Sequence, residues 1–329
     1  MTTTTMKAMV AKGYGSPEVF ELQEVAIPAV DQDQILVKVK TASVTTADTM
    51  MRTGKPYVGR LFTGLTKPKK SIPGTGFSGE VVAKGPSVTR FNLGDRVFGE
   101  TVFEFSATAE YLVISENSVV LPMPEHMTYE EAASYCDGHL TSYNFLTQLQ
   151  QIKAGQRVLI NGASGSLGTS ALQIAHFLGA HVTAVCSGKN AGLVRSLGAD
   201  VVINYQEEDF TKSNQTWDVI YDTVGKSSFS ACKSILAEQG VYLSPVLGFS
   251  LLGQMLWTAV FGKKKAKFEA TGANSVDRLR TLLGEVIEIY RTGKLKTVID
   301  RQFPLEKLAD AHRYIDKGHK KGNIIIVNA

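Results

Sequence analysis

The chain has 329 residues, 43% hydrophobic and 20% charged, with 30 Gly and 10 Pro. Those proportions exclude a disordered, collagen-like or linker-dominated chain and supply apolar material for two domains of ordinary size. Lys and Arg number 35 against 31 Asp and Glu, a net charge of +4 spread along the chain, unlike the concentrated basic stripe of a nucleic-acid binder.

The start, Met1-Thr-Thr-Thr-Thr-Met6-Lys7, lacks the apolar core of a signal peptide. Short strands and turns follow. Segments 7–10 and 34–40 alternate apolar and polar, 79–83 and 96–98 are further strands, Gly94-Asp95 is a turn, and 110–114 closes the series. Many short strands at irregular spacing predict a small, barrel-like β domain over the first ~125 residues. From Tyr129 the texture changes: 129–149 is helical, with Pro122 and Pro124 before it and Thr128 with Glu131 as a capping box. Strand 157–160, helix 167–178, strand 181–185, helix 191–197, strands 201–203 and 219–221, helix 227–236 and strand 241–243 then alternate. That order predicts an α/β fold with a parallel, doubly wound sheet. Helix 276–291 carries Leu279, Leu282, Leu283, Val286, Ile287 and Tyr290 at helical spacing. A helix after Pro304 and a last strand, 323–327, do not extend the alternation and are assigned back to the first domain. The expected domains are 1–127 with 273–329, and 128–272.

Three cysteines, Cys136, Cys186 and Cys232, form no CxxC pair and, odd in number, argue against a disulfide framework, so a reducing, cytoplasmic setting is expected. The longest apolar stretch, 249–262, is broken by Ser250, Gly253, Gln254 and Thr258 and falls short of the ~20 apolar residues that span a bilayer. With Lys263-Lys-Lys265 behind it, this stretch is expected to pack at a subunit or domain interface; contact with a membrane surface is not the expected role.

The sharpest local signal is Gly162-Ala163-Ser164-Gly165-Ser166-Leu167-Gly168, between a buried-type strand and a helix. Gly162 suits a tight turn, Gly165 a close approach of backbone amides to a pyrophosphate, and Gly168 close packing of helix on strand, while the helix start offers a partial positive charge. The spacing is GxxGxxG rather than GxGxxG. An acid after the second strand would hold the ribose 2′-OH of NAD; 186–190 instead reads Cys-Ser-Gly-Lys-Asn. Ser187 and Lys189 suit a 2′-phosphate, and Tyr205 supplies a further hydroxyl, so NADPH is the expected cofactor.

Several segments together resemble the medium-chain dehydrogenase/reductase superfamily in its zinc-free quinone oxidoreductase-like branch, over essentially the whole length. They are 42–48 (Ala-Ser-Val-Thr-Thr-Ala-Asp), 73–80 (Pro-Gly-Thr-Gly-Phe-Ser-Gly-Glu), 91–99 (Phe-Asn-Leu-Gly-Asp-Arg-Val-Phe-Gly), 131–142, 161–168, 197–200 and 221–225 (Tyr-Asp-Thr-Val-Gly). The resemblance implies a GroES-like catalytic domain, a Rossmann domain that binds NADPH, and homodimers. It also implies where a zinc relative places ligands: a cysteine at Thr45, His-Glu at Thr75-Gly76, and a cysteine near Asp137. None of Thr45, Thr75 and Gly76 is a good zinc ligand, and the six histidines, His126, His139, His176, His181, His312 and His319, show no metal spacing, so the chain is expected to be metal-free. The quinone reductase branch commonly carries asparagine where Thr45 stands, and Ala47 stands where the zinc enzymes use a hydroxyl for proton relay.

Without zinc a simple carbonyl lacks its Lewis acid, whereas a quinone or an enone spreads the incoming charge over its conjugated system. The expected activity is NADPH-dependent hydride transfer to quinones or α,β-unsaturated carbonyls. Thr45 is the first candidate for acceptor binding, Asp48 orients its loop, and His139 is a candidate donor to the substrate oxygen. By the resemblance, Thr141 lies beside the nicotinamide; Val246 and Leu247, after the last Rossmann strand, are expected to touch its ring. Tyr57 is read as a surface tyrosine. The alternatives are an enoyl-thioester reductase, which needs a basic groove such as Lys67, Lys69 and Lys70 would make, and an NADPH sensor without turnover.

Overall fold

The computed structural model describes residues 4–55 and 57–328, with nothing said of the side chains of Val58 and Phe62; Met1, Thr2 and Thr3 of the N-terminal run lie outside the described residues. The chain divides into two compact units. One comprises Met1–Asp137, Ser275–Gly284 and Thr297–Ala329; the other comprises Gly138–Asn274 and Glu285–Lys296.

In the first unit β1 (Thr5–Ala11) and β2 (Phe20–Ala26) pair antiparallel as a hairpin. Strand β3 (Gln34–Val44) follows, then helix α1 (Thr46–Thr53), β4 (Gly76–Lys84), β5 (Arg96–Glu100), β6 (Tyr111–Ser115) and β7 (Val119–Pro122). In β3, Ile35, Val37 and Val39 are buried while Gln34, Leu36 and Lys38 are only partly so, the period-two pattern of a strand with one face on the core. Phe77, Phe91, Val97 and Leu112 fill the same core.

The second unit is a parallel sheet of β8 (Arg157–Asn161), β9 (His181–Cys186), β10 (Val201–Asn204), β11 (Trp217–Asp222), β12 (Leu236–Leu243) and β13 (Lys265–Lys267). Helix α2 (Ser166–Phe177) links β8 to β9, and α3 (Ala191–Ser196) links β9 to β10. Helix α4 (Phe249–Val260) precedes β13, and α5 (Val276–Arg291) follows it. The strand order is β10-β9-β8-β11-β12-β13. Winding therefore runs outward from β8 on one side and resumes at β11 on the other, which places the topological switch point at the C-terminal ends of β8 and β11. Val158, Leu159 and Ile160 of the central strand are wholly buried, as a continuous apolar run predicts. The chain then returns to the first unit through β14 (Ile299–Pro304), helix α6 (Leu308–Asp316) and β15 (Asn323–Val327), completing a sheet of order β14-β15-β3-β4-β5-β7, with β6 paired to β3.

The structure departs from the sequence reading at several elements. The helix expected over 227–236 is a single turn, Phe229–Cys232, capped by the Ser228 hydroxyl, and β12 already begins at Leu236. The Trp217 amide donates to the Ile235 carbonyl, and Leu236 pairs with Trp217, so parallel pairing claims residues whose spacing also fits a helix. Strands β2, β7, β13 and β14 carry little apolar alternation; β2 and β14 are edge strands whose partners lie far away or across a turn, and only that pairing defines them. The helical segment 129–149 is present with its Thr128–Glu131 capping box, but it includes two π turns, Tyr135–His139 and Asn144–Leu149.

Candidate active site

The glycine-rich turn after β8 has a distinct steric reason for each glycine. Gly162 adopts φ +78°, and a Cβ there would stand 2.1 Å from Val224 Cγ2. A Cβ on Gly168 would stand 2.1 Å from the Gly162 carbonyl oxygen, so α2 can lie this close to the turn only without a side chain. Gly165 differs: its φ is −81°, and a Cβ would meet only the Gly162 oxygen, at 3.5 Å. Gly165 is also the N-cap of α2 and places no side chain over the helix start. An open surface at Gly165 beside the first turn of a helix is the cradle a pyrophosphate needs, and the residues present fit a dinucleotide.

The neighbouring strand ends hold this turn in place. The Gly162 and Ala163 amides both donate to the Val185 carbonyl at the end of β9, at 3.1 and 3.0 Å. Asn190 Nδ2 donates to Ser164 Oγ at 2.9 Å. Asp222, fully buried at the end of β11, accepts from Asn161 Nδ2 at 2.9 Å, from the Gly225 and Ser227 amides at 3.0 and 2.8 Å, and from the Tyr242 hydroxyl at 2.9 Å. It thereby fixes the Thr223–Gly225 turn, whose Val224 side chain closes over Gly162. Hydrogen bonding by the ring of charge-assisted donors repays the cost of burying a carboxylate.

Beyond the turn, Tyr205 N donates to the Cys186 carbonyl (3.2 Å) and Gly188 N to Asn204 Oδ1 (2.9 Å), lacing the ends of β9 and β10 together. This brings Ser187, Lys189 and Tyr205 to one edge of the sheet. Ser187 is buried, Lys189 is exposed, and Tyr205 is 48% exposed. Val246 and Leu247, beyond β12, are 40% and 44% exposed, and Val246 packs over Gly225. Ser142 Oγ donates to the Leu167 carbonyl at 2.9 Å, tying the segment that carries Thr141 to the first turn of α2. His139 is buried, and burial pushes its pKa down to about 3, so it is neutral at physiological pH.

In the first unit Thr45 caps α1 in a reciprocal arrangement. The Thr45 amide and hydroxyl each donate to Asp48 Oδ2 at 2.8 Å, and the Asp48 amide donates to Thr45 Oγ1 at 3.1 Å. Both residues are 5% exposed. Burial raises Asp48 to about 6, the nearby Asp137 charge adding to it. Burial likewise raises Glu100 to about 7, helped by Asp137 and Asp48. The carboxyls of Asp48, Glu100 and Asp137 therefore share one region, which the sequence reading did not assemble. Glu100 directly follows the 91–99 motif and nothing in its local pattern marks it. Tyr57 is 66% exposed, with the Arg60 guanidinium 4.9 Å from its ring centroid. Lys67, Lys69 and Lys70 are exposed, and Lys70 pairs with Glu104 at 2.5 Å.

The positions where zinc relatives place ligands are Thr45, committed to Asp48, and Thr75-Gly76, where a Cβ on Gly76 would meet the Ala133 carbonyl at 2.6 Å. The backbone there excludes the acidic side chain of the zinc enzymes. Among the described residues no group of three or more His, Cys, Asp or Glu is placed to hold a metal ion.

Residues 31–125 match the family model of the alcohol dehydrogenase GroES-like domain, and 197–326 that of a zinc-binding dehydrogenase. A spinach (Spinacia oleracea) protein named quinone-oxidoreductase homolog, chloroplastic, is 32% identical, with 99% of this chain and 99% of that one aligned. The chain belongs to the medium-chain dehydrogenase/reductase superfamily, in its quinone oxidoreductase branch. Within this family it is also 29% identical to a tomato (Solanum lycopersicum) 2-methylene-furan-3-one reductase, over 98% of this chain and 79% of that protein. The quinone oxidoreductase structure from Pseudomonas syringae pv. tomato superposes with a TM-score of 0.85 at 28% identity, covering 98% of this chain and 99% of that one. The GroES-like and Rossmann architecture expected of this family member is the one observed.

Proposed function

We propose that this family member transfers hydride from NADPH to quinones or α,β-unsaturated carbonyls without a metal. Residues 128–272 would hold the dinucleotide, and 1–127 with 273–329 would form the catalytic domain. The observation that carries the reading is the glycine cradle: a turn closed at Gly162 by a positive φ and the Val224 side chain, closed at Gly168 by the backbone, and open at Gly165. The names of the spinach and tomato relatives point to conjugated acceptors. Bound NADPH would supply the hydride.

The chain's own residues bind, orient and handle the proton. Amides 163–168 would hold the pyrophosphate, Ser187, Lys189 and Tyr205 the 2′-phosphate, and Thr141, Val246 and Leu247 the nicotinamide. Hydride arriving at the acceptor leaves an enolate or hydroquinone anion that needs one proton. With Asp48 protonated, the Thr45 hydroxyl, 2.8 Å from that carboxyl, would turn from it to give its proton to the anion and take the Asp48 proton in exchange. His139, neutral and buried, is a positioning residue for the segment that carries Thr141 rather than an acid. A reducing, cytoplasmic setting fits three free, buried thiols, and among the described residues no helix is long and apolar enough to cross a membrane. A homodimer is the assembly proposed.

The test is oxidation of NADPH and of NADH with a quinone, an enone, an enoyl thioester and an aldehyde in parallel, each with and without chelator. Chelator-resistant turnover of quinone or enone, faster with NADPH, is expected. Preference for the thioester moves the assignment to an enoyl-thioester reductase. NADPH binding without turnover of any acceptor makes the protein a sensor, and chelator-sensitive aldehyde reduction refutes the metal-free reading.

A further inference from the structure

The turn that leads into β15 sends one lysine inward. Gly318 and Gly322 take φ +72° and +68°, and between them His319 takes φ +68°, a conformation that costs a residue with a side chain. A Cβ on Gly322 would stand 2.2 Å from the carbonyl oxygen of Val298, the residue before β14, so the turn lies hard against that strand. Lys317, His319 and Lys321 are exposed, whereas Lys320 is partly buried and its Nζ donates to the Gly322 carbonyl at 2.9 Å. Strain of this kind persists only where the surrounding structure enforces the placement.

Strand register brings that ammonium to the Thr45 end of the sheet. Strand β15 pairs antiparallel with β3, Ile325 opposite Ser43 and Ile324 opposite Val44. One residue further, Asn323 comes level with Thr45, and the Gly322 carbonyl that holds Lys320 Nζ is the next group along. The charges agree with this placement. Burial lowers the Lys320 pKa, and Asp137 and Asp300 act against it, so Lys320 feels the same Asp137 charge as Asp48 and Glu100 do. Asp300 is already engaged by the Tyr314 hydroxyl and the Lys321 amide, each at 2.8 Å. Among the described residues Lys320 forms no ion pair, and one of its three N–H groups is used. A cation partly withdrawn from water, with donors to spare, beside the Thr45 hydroxyl, suits an oxygen on which negative charge develops.

We infer that the Lys320 ammonium holds the acceptor's carbonyl oxygen during hydride transfer, a role that rests on the quinone or enone reductase reading. As the β-carbon of an enone takes up hydride with its electron pair, the C=C pair moves between the α-carbon and the carbonyl carbon. The carbonyl π pair then moves to oxygen, NADPH becomes NADP+, and a Lys320 N–H meets the new charge. One proton, through Thr45, completes the saturated carbonyl. Enolates concentrate charge on oxygen more than hydroquinone anions do, so enones depend on this contact more than quinones. The experiment compares the parent protein with Lys320→Met and Lys320→Arg. 4-Nitrophenol, whose ionised form is read by its visible absorbance, stands in for the enolate and needs no turnover. With NADP+ present the parent should bind it as the phenolate, Lys320→Arg should keep that binding, and Lys320→Met should weaken it by at least about tenfold. In Lys320→Met, kcat should fall by about a hundredfold with an enone and by less than about fivefold with a quinone. Melting temperature and NADPH affinity should stay unchanged. Lys320-dependent phenolate binding in a protein that reduces neither acceptor supports the contact and refutes the reductase reading. Failure of the parent to bind the phenolate, equal binding by Lys320→Met, or equal loss of kcat for both acceptors overturns the inference. So does a loss of NADPH affinity without a change in phenolate binding, because Lys320 would then serve the cofactor.

Discussion

Gly168→Ala and Gly165→Ala add the same methyl group to the same turn and should behave differently. At 168 the new Cβ stands 2.1 Å from a carbonyl oxygen, against an ordinary contact of 3.4 Å or more, so helix and turn must part by over an ångström. Both sides are backbone, and no side chain can yield. Overpacking of this kind costs roughly 1–3 kcal/mol, or a melting shift of about 1–5 °C for a chain of this size. The displaced amides would also lose NADPH affinity, by roughly tenfold to a hundredfold for an ångström-scale shift. At 165 the Cβ meets one oxygen at 3.5 Å, and φ is already negative. The weaker N-cap and the stiffer unfolded chain nearly cancel, to within ~0.5 kcal/mol. Gly165→Ala should therefore melt with the parent protein yet bind NADPH at least about tenfold more weakly, because the methyl occupies the pyrophosphate's place. Thermal melting and fluorescence titration with NADPH separate the two effects. If Gly165→Ala binds NADPH as tightly as the parent, the cradle is structural and the assignment of this turn fails.

Glu100, raised to about 7 by burial, binds its proton more tightly in the folded chain than in the unfolded one. Its contribution is therefore most favourable at low pH and is lost as pH rises from its ordinary value toward 7, so Glu100→Gln should gain about 1–3 kcal/mol in denaturant unfolding at pH 8 and little at pH 4. With Asp48 at about 6, kcat/KM for a quinone should fall as pH rises through that value. Asp48→Asn and Thr45→Val should each lower kcat by roughly tenfold to a hundredfold and flatten that limb; an unchanged profile in either variant removes the pair from proton delivery. Lys189→Ala should raise the Kd for NADPH by about tenfold while leaving that for NADH within about twofold, and equal loss for both would place Lys189 away from the 2′-phosphate.

Local physics made much of this protein readable from its residues. Buried strands such as 157–160 are continuous apolar runs, α5 carries a helical stripe, and the Thr128–Glu131 box announces a helix start, because each depends on neighbours in sequence. The glycine spacing of 162–168 likewise encodes a turn and a helix entry within seven residues. Strands β2 and β14 escape such a reading because their definition lies in partners elsewhere, and the 227–236 segment misleads because pairing with Trp217 outweighs its helical spacing. The three-dimensional structure alone separates the steric duties of Gly162, Gly165 and Gly168, gathers the donors of Asn161, Gly225, Ser227 and Tyr242 around Asp222, and joins Asp48, Glu100 and Asp137 into one electrostatic group. It alone reveals that one apolar face of α4 is buried while the other meets solvent. Backbone propensity is a local property, whereas burial, and with it the strength of every charge and hydrogen bond, depends on which distant segments the fold brings together.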